Sequence, residues 1–295
     1  MKKMLTAMVL LAISTIALAA PPLTICTGGP TGAYEALGTS VGKSITEKLK
    51  VSAPTEFVAP NTGGSIQSGD RLTHRSCVMA VVQAHAVAGR GLPRDIKVTN
   101  AHVEAIYWIH GKDGLKDFSD LAKPENKDLG IAVVTGSGSY VTIQNFGAVD
   151  EDYKDLNLIP FEDWEFAAEA AAEGNTRIAG KQVNIAGMLY VSRPGFLPGA
   201  ITNDYSRDLT VGEVTEDAFT KATDFNGNGL YYECSIKRGD TGPLEVDSWG
   251  SPDTLCMNAQ VVFNNDYLNN VPATEVRAVK KAVLQGTNQI LRNAR

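Results

Sequence analysis

Residues 23–34 read LTICTGGPTGAY: a short apolar run rich in β-formers, a Gly/Thr turn, then a helical pattern. A second turn of the same kind, Thr135-Gly-Ser-Gly-Ser139, follows a later apolar run. Strand, tight turn and helix in that order form the repeating unit of a parallel α/β sheet, and ligands bind outside the carboxyl ends of its strands. A glycine-rich turn feeding a helix also aims several unbonded backbone N–H groups at one point, where the helix dipole favours an anion. The chain is thus expected to capture a small molecule rather than convert one.

The same rhythm continues along the chain. Residues 23–26 read as a strand, and Leu37, Val41, Ile45 and Leu49 fall at i, i+4 spacing on one helix face. A strand at 55–59, a loop at 60–65 and a helix at 66–72 follow, then the buried strand VMAVVQ at 78–83. Residues 103–109 (VEAIYWI) make a longer strand that crosses to a second lobe. That lobe has strands at 129–134, 157–160 and 185–191, with helices at 140–146 and 161–173. Residues 254–263 look like a return strand, and 274–291 like one long helix or a helical pair. The expected division is a signal at 1–19, lobe one at 20–103, lobe two at 104–253, and a return strand with C-terminal helices on lobe one at 254–295. The fold class is α/β, two doubly wound lobes joined by crossing strands.

Residues 1–19 have the form of an export signal: Lys2 and Lys3, an apolar core from Met4 to Leu18, and the small-residue site Ala17-Leu18-Ala19. Cleavage there takes the formal charge from −6 to −8. An acidic chain without a basic block argues against nucleic-acid binding. The four cysteines suit an oxidising compartment and allow three pairings. Cys234–Cys256, which closes a short loop rich in Gly, Pro and Asp, is favoured, leaving Cys26–Cys77 to join the first and third strands.

Catalytic and cofactor signatures are weak. The turn at 27–34 lacks GxGxxG spacing, and Pro30 removes a donor, so no dinucleotide cofactor is expected. The turn at 135–139 is neither a G-x-S-x-G elbow nor a P-loop. His74, His85, His102 and His110 are scattered, and packed or solvated roles suit each. Tyr107 and Trp108 lie on the crossing strand, where core packing competes with a place in a cleft. Asp224, Asn226 and Asn228 match the first half of a calcium loop, but Ser235 stands where its bidentate glutamate belongs, so a turn is the default and a metal site a weak candidate.

Several of these runs together resemble the TAXI-type solute-binding proteins of tripartite (TRAP) transporters. Thr27 to Tyr34 is similar to that family's T-G-x-x-x-G-x-Y turn, and Gly64-Ser65 to its Gly-Ser loop; Met79-Ala-Val-Val-Gln83 is similar to the end of its next motif. Asp120-Leu-Ala-Lys123, the strand at 129–134 and Gly136-Ser-Gly-Ser139 resemble the lobe-two signature. The likeness is good over residues 23–190 and looser beyond. This chain departs from the pattern in having Glu35 where a second tyrosine is common, and in the unusual segment 203–256.

The resemblance implies a type II periplasmic-binding-protein fold that closes on a small organic anion, a glutamate-like amino acid or a dicarboxylate. It implies a monomer in the periplasm, without catalytic residues or cofactor, that docks on TRAP membrane subunits. The expected ligand-binding residues are Gly29, Thr31, Gly32, Tyr34, Gly64, Ser65 and Gln83 from lobe one, and Ser137, Gly138, Ser139 and Tyr140 from lobe two. Backbone N–H groups and hydroxyls would hold carboxylate oxygens, with Tyr34 and Tyr140 against the carbon skeleton. A periplasmic sensor with the same cleft, or an extracytoplasmic hydrolase with a dispersed triad, is the alternative. Arg71, Arg90 and Arg193 are the basic candidates for the cleft.

Overall fold

The computed structural model describes residues 22–29, 33–57, 64–74, 76–88, 98–224, 227–247 and 251–293. The expected export signal, Thr31, Gly32, Arg90 and Asn226 lie outside them. The chain opens with β1 (Ile25–Thr27), α1 (Ala33–Leu49), β2 (Thr55–Phe57), α2 (Gly64–Thr73), β3 (Met79–Gln83) and α3 (Ala84–Ala88). The long strand β4 (Val98–Gly111) leads into β5 (Gly130–Val134), α4 (Gly138–Val149), β6 (Asn157–Phe161) and α5 (Trp164–Glu173). Then come β7 (Asn175–Ile178), β8 (Lys181–Ser192), α6 (Gly199–Thr202), β9 (Leu209–Gly212), β10 (Tyr232–Ser235) and β11 (Glu245–Val246). β12 (Asp253–Phe263), α7 (Asn265–Asn270) and α8 (Ala273–Asn293) complete it.

The strands run in the order β2-β1-β3-β12-β4-β8-β5-β6. β1 pairs in parallel with β2 and β3, and β5 with β6 and β8. Every residue of β3 and of β5 is buried, which is why both read as continuous apolar runs instead of alternating ones. Between these two parallel sets lie β4 and β12, antiparallel to each other, with Val98 opposite Val262 and Ala105 opposite Cys256. Past Ala105, β4 leaves β12 and pairs with β8 and β9. These two strands therefore cross between the lobes.

The cores divide at the same place. One cluster collects Ile25, Leu37, Val41, Ile45, Met79 and Val81 with Ala259, Val261, Phe263, Val279 and Val283. A smaller cluster beside it joins Cys26, Leu72, Cys77, Ala80, Val82, Ala86 and Val262, and two more gather residues from Ala105 and Ile106 onward, up to Met257. Ala84 alone reaches from the N-terminal segment into those two. Leu37, Val41 and Ile45 are all fully buried, so the i, i+4 stripe read from sequence does face the core. Gly286 of α8 lets that helix lie directly on α1: a side chain there would meet the Ser40 and Val41 backbone, and the Ser40 hydroxyl donates to the Gly286 carbonyl at 2.8 Å.

In the second lobe Trp108, Phe118, Phe146, Tyr153, Phe219 and Tyr231 form an aromatic core, with the Phe146 and Phe219 rings stacked 3.7 Å apart. Trp108 and Tyr107 are both fully buried, and the Trp108 indole donates to the Leu115 carbonyl, so the bulk of each ring serves packing. The β7–β8 hairpin turns on Ala179 and Gly180, both at positive φ, and β9 to β11 build out the segment 203–256. The C-terminal element is one long helix preceded by the short α7.

Both expected disulfides are formed. Cys26 of β1 joins Cys77, just before β3, with Cα atoms 5.9 Å apart; Cys234 of β10 joins Cys256 of β12 at 5.8 Å. Loop-closure entropy assigns about 4 kcal/mol to a crosslink spanning 51 residues and about 3 kcal/mol to one spanning 22. Replacing Cys26 and Cys77 together by Ser should lower the calorimetric melting midpoint by roughly 5–10 °C. An unchanged midpoint would show that the crosslink adds nothing to the packing around it.

His85 of α3 is fully buried, with Nδ1 3.4 Å from the Tyr231 hydroxyl of the other lobe. Burial pushes its pKa down to about 3, because the charged ring would lose its hydration. The unfolded chain therefore binds a proton near pH 6.5 that the folded chain refuses, so this contribution to stability is present above that pH and lost as pH falls toward 3. Urea melts should show about 2 kcal/mol less stability at pH 5 than at pH 7 from this group, and a His85→Gln variant should flatten that slope. An identical slope in the variant would refute the assignment.

Candidate functional site

The lobes face each other across a cleft of about 620 Å³ at the crossing strands. Its lobe-one wall is built from the ends of β1 and β3 and the starts of α1 and α2: Gly28, Gly29, Ala33, Tyr34, Gly64, Ser65 and Gln83. Opposite stand Val134, Ser137, Gly138 and Ser139, where β5 turns into α4. Trp164 at the start of α5, Tyr190–Ser192 at the end of β8 and residues 195–199 supply an apolar and aromatic flank, and Glu104 of β4 completes the wall. Parallel strands deliver their helix N-termini to one edge, so the turns converge because of the topology.

Of the residues singled out in the sequence, Gly29, Tyr34, Gly64, Ser65, Gln83, Ser137, Gly138 and Ser139 line this cleft. Tyr140 does not; it packs against the aromatic core of the second lobe. Glu35 is also off the wall, its carboxylate accepting from the Thr39 hydroxyl one turn on. Glu104, Trp164, Tyr190 and Phe196 were not anticipated. Trp164 follows the N-cap Asp163, whose carboxylate accepts from Phe166 N–H, and an Asp before a helical run was the available signal. Glu104 had none, since one acid in the run VEAIYWI reads as a solvent-facing strand position.

The turn Thr135–Ser139 is a helix start in detail. Gly136 takes φ 70°, Ser137 caps α4, and its hydroxyl accepts from Tyr140 N–H at 3.2 Å. The N–H groups of Gly138 and Ser139 begin the helix beside the cleft with no acceptor inside it, a pair of donors reinforced by the dipole. Gly138 also meets lobe one. A Cβ there would run into the Gln83 side-chain amide, so Gln83 lies directly on the α4 start. Gln83 is buried, its N–H donating to the Ser65 hydroxyl at 3.1 Å, while its side-chain Oε1 has no hydrogen-bond partner.

Glu104 is the one charged side chain among the described residues of the wall, and it is 1 % exposed. Tyr34 donates its phenolic O–H to Glu104 Oε2 at 2.8 Å. Burial, followed by the Glu104 charge, raises the Tyr34 pKa well above its usual value, which keeps the phenol protonated as a donor. The same two causes raise Tyr190, whose ring meets Trp164 edge-on at 4.6 Å. His102 Nε2 stands 3.5 Å from Glu104 Oε1, within ion-pair distance, yet neither ring nitrogen makes a hydrogen bond.

The basic candidates lie elsewhere. Arg71 pairs with Glu56, and the Arg193 guanidinium sits 5.0 Å over the Phe196 ring without itself lining the cleft. His110 Nδ1 faces the Gly111 carbonyl at 2.7 Å and Nε2 faces Asp247 at 2.6 Å, which leaves neither nitrogen to act as a base on a serine. The Asp224 carboxylate accepts from both the backbone and side-chain N–H groups of Asn228, closing a turn on itself. Among the described residues no cluster of three or more His, Cys, Asp or Glu could hold a metal ion.

No protein-family model matches the chain, and no curated protein is similar to it in sequence. Solved structures are similar in fold. Iron-bound HitA from Pseudomonas aeruginosa aligns with a TM-score of 0.50 at 11% identity, over 92% of this chain and 84% of that one. MatC from Rhodopseudomonas palustris with bound malate aligns with a TM-score of 0.50 at 14% identity, over 90% and 84%. The periplasmic binding protein BugD aligns at 14% identity over 90% and 82%, with a TM-score of 0.46. At these identities the likeness is one of fold: the chain shares the two-lobed α/β architecture of HitA and MatC.

Proposed function

We propose that this protein is an extracytoplasmic solute-binding protein that captures a small carboxylate-bearing molecule between its lobes and hands it to a TRAP-type membrane permease. The observation that carries the reading is the convergence of the β1, β3 and β5 turns from both lobes on one cleft, with Gln83 seated on Gly138 across it. Gly138 and Ser139 N–H groups hold the carboxylate, and Gly29, Tyr34, Gly64 and Ser65 form the facing wall. The lobes close by movement about β4 and β12, and the closed form docks on the permease. Export by residues 1–19 agrees with two disulfides, which form in an oxidising compartment. Both His110 nitrogens being engaged removes that histidine from the hydrolase alternative.

Native mass spectrometry of the protein purified from its host should find one small acid at unit stoichiometry. A ligand at a hundred times its Kd adds about 2.7 kcal/mol to the stability of the folded state, so a thermal-shift panel should single out the same compound. Turnover of that compound, or no stabilisation by any organic acid, would overturn the reading.

Gly138 supplies a second test. Ala at that position forces the Gln83 amide aside; we take this inter-lobe contact to tighten on closure, so an overpacking cost of roughly 1–3 kcal/mol weakens ligand binding about 5- to 150-fold. The melting midpoint without ligand should shift far less than the affinity. Equal losses in both would make Gly138 a structural residue only.

A further inference from the structure

We infer that the cleft takes a monocarboxylate carrying an apolar body the size of an aryl ring, in preference to a short diacid or glutamate. The inference rests on the cleft being a solute site and goes beyond it in naming what stands behind the acid group. Its ground is the carboxyl edge of the second lobe, where β8, β5 and β6 lie side by side and run in parallel. The middle strand, β5, feeds the α4 start that holds the acid in that reading. Its neighbours bring Tyr190 on one side and Trp164 on the other, and the two rings meet edge-on at 4.6 Å. Adjacent strands are about 4.8 Å apart, so an acid on the middle turn has an aromatic surface within a few carbon atoms of it.

The loop from Arg193 to Pro198 completes this flank, and much of its polarity is spent on itself. The Ser192 hydroxyl donates to the Phe196 carbonyl at 2.8 Å. Phe196 N–H donates to the Arg193 carbonyl at 3.0 Å, and Gly195 N–H to the Asp240 carbonyl at 3.1 Å. Pro194 and Pro198 carry no N–H, and their rings stiffen the loop. The Arg193 guanidinium, 5.0 Å from the Phe196 ring, holds that ring in place. What the loop brings to the cleft is Phe196, Leu197 and Pro198. Apolar surface fixed in this way is costly against water, and an apolar solute body that covers it recovers the cost. A second carboxylate placed there would instead lose its hydration against carbon. The cleft, at about 620 Å³, also falls within the roughly 300–1,000 Å³ of pockets that bury drug-sized ligands, and a short diacid fills little of it.

The test titrates named acids calorimetrically into the mature protein: phenylacetate and 3-phenylpropionate against acetate, propionate, glutarate and glutamate. The better aryl acid should bind roughly 10- to 100-fold more tightly than any of the other four. Trp164→Ala removes the larger ring of the edge-on pair; it should weaken the aryl acid about tenfold and narrow its lead over the acid without the ring. Any of the other four binding within tenfold of the better aryl acid overturns the inference and leaves the solute site standing. An unchanged lead in a Trp164→Ala variant that melts normally does the same. The wild-type comparison decides the matter even if the variant does not fold. Binding of none of the six acids also overturns the inference, and the fate of the solute site is then read separately, from the compound that native mass spectrometry finds on the protein.

Discussion

Everything in this structure depends on the pairing of β4 with β12. Two antiparallel strands separated by about half of the chain are zipped together from Val98–Val262 to Ala105–Cys256, and they join the two parallel sets into one continuous sheet. The parallel sets flanking them need helices on both faces, so each lobe closes its own core, and the two cores meet at the crossing and at Ala84. That pairing fixes where the turns after β1, β3 and β5 point, because parallel strands put every carboxyl end on one edge. The disulfides reinforce the same framework, Cys234–Cys256 by tying β10 to β12 and Cys26–Cys77 by tying the start of β3 to β1.

The cleft at that edge is unevenly equipped. One side offers helix N-termini, small residues and hydroxyls; another offers the rings of Trp164, Tyr190 and Phe196; the floor, at the strand crossing, carries a buried carboxylate opposite Met257 on β12. Such a floor is expensive to build, and Tyr34 offsets only part of the cost. Placing the acid on a strand common to both lobes means that a group bound to it reports to both at once, which suits a protein that must close when filled.

The sequence made the rhythm legible where the physics is local. The strands β1, β3 and β5 and the α1 stripe of Leu37, Val41 and Ile45 follow from period and turn chemistry, and the Gly-rich helix starts from the need of free N–H groups for acceptors. The hairpin of β7 and β8 was hidden because its turn, Ala179-Gly180, has a non-glycine residue at positive φ, where Asn or Asp would have announced it. β9 to β11 are two to four residues long and owe their existence to pairing with neighbours far away in sequence, which periodicity cannot show. Eight of the expected site residues reach the cleft because they sit at strand ends, and Tyr140 misses it because the helix turns its ring into the core of its own lobe. Glu104 was illegible for the opposite reason: its meaning comes from the tertiary crossing, where Tyr34, seventy residues earlier, provides its hydrogen bond.

The most direct measurement is a crystal structure of the mature protein with the compound it carries out of its host. The account predicts density in the cleft beside the α4 start and Gln83, with a carboxylate on the Gly138 and Ser139 N–H groups. Density for that compound at another surface, for instance the groove beside Glu216 and Glu233, with the inter-lobe cleft filled by water alone, would contradict it.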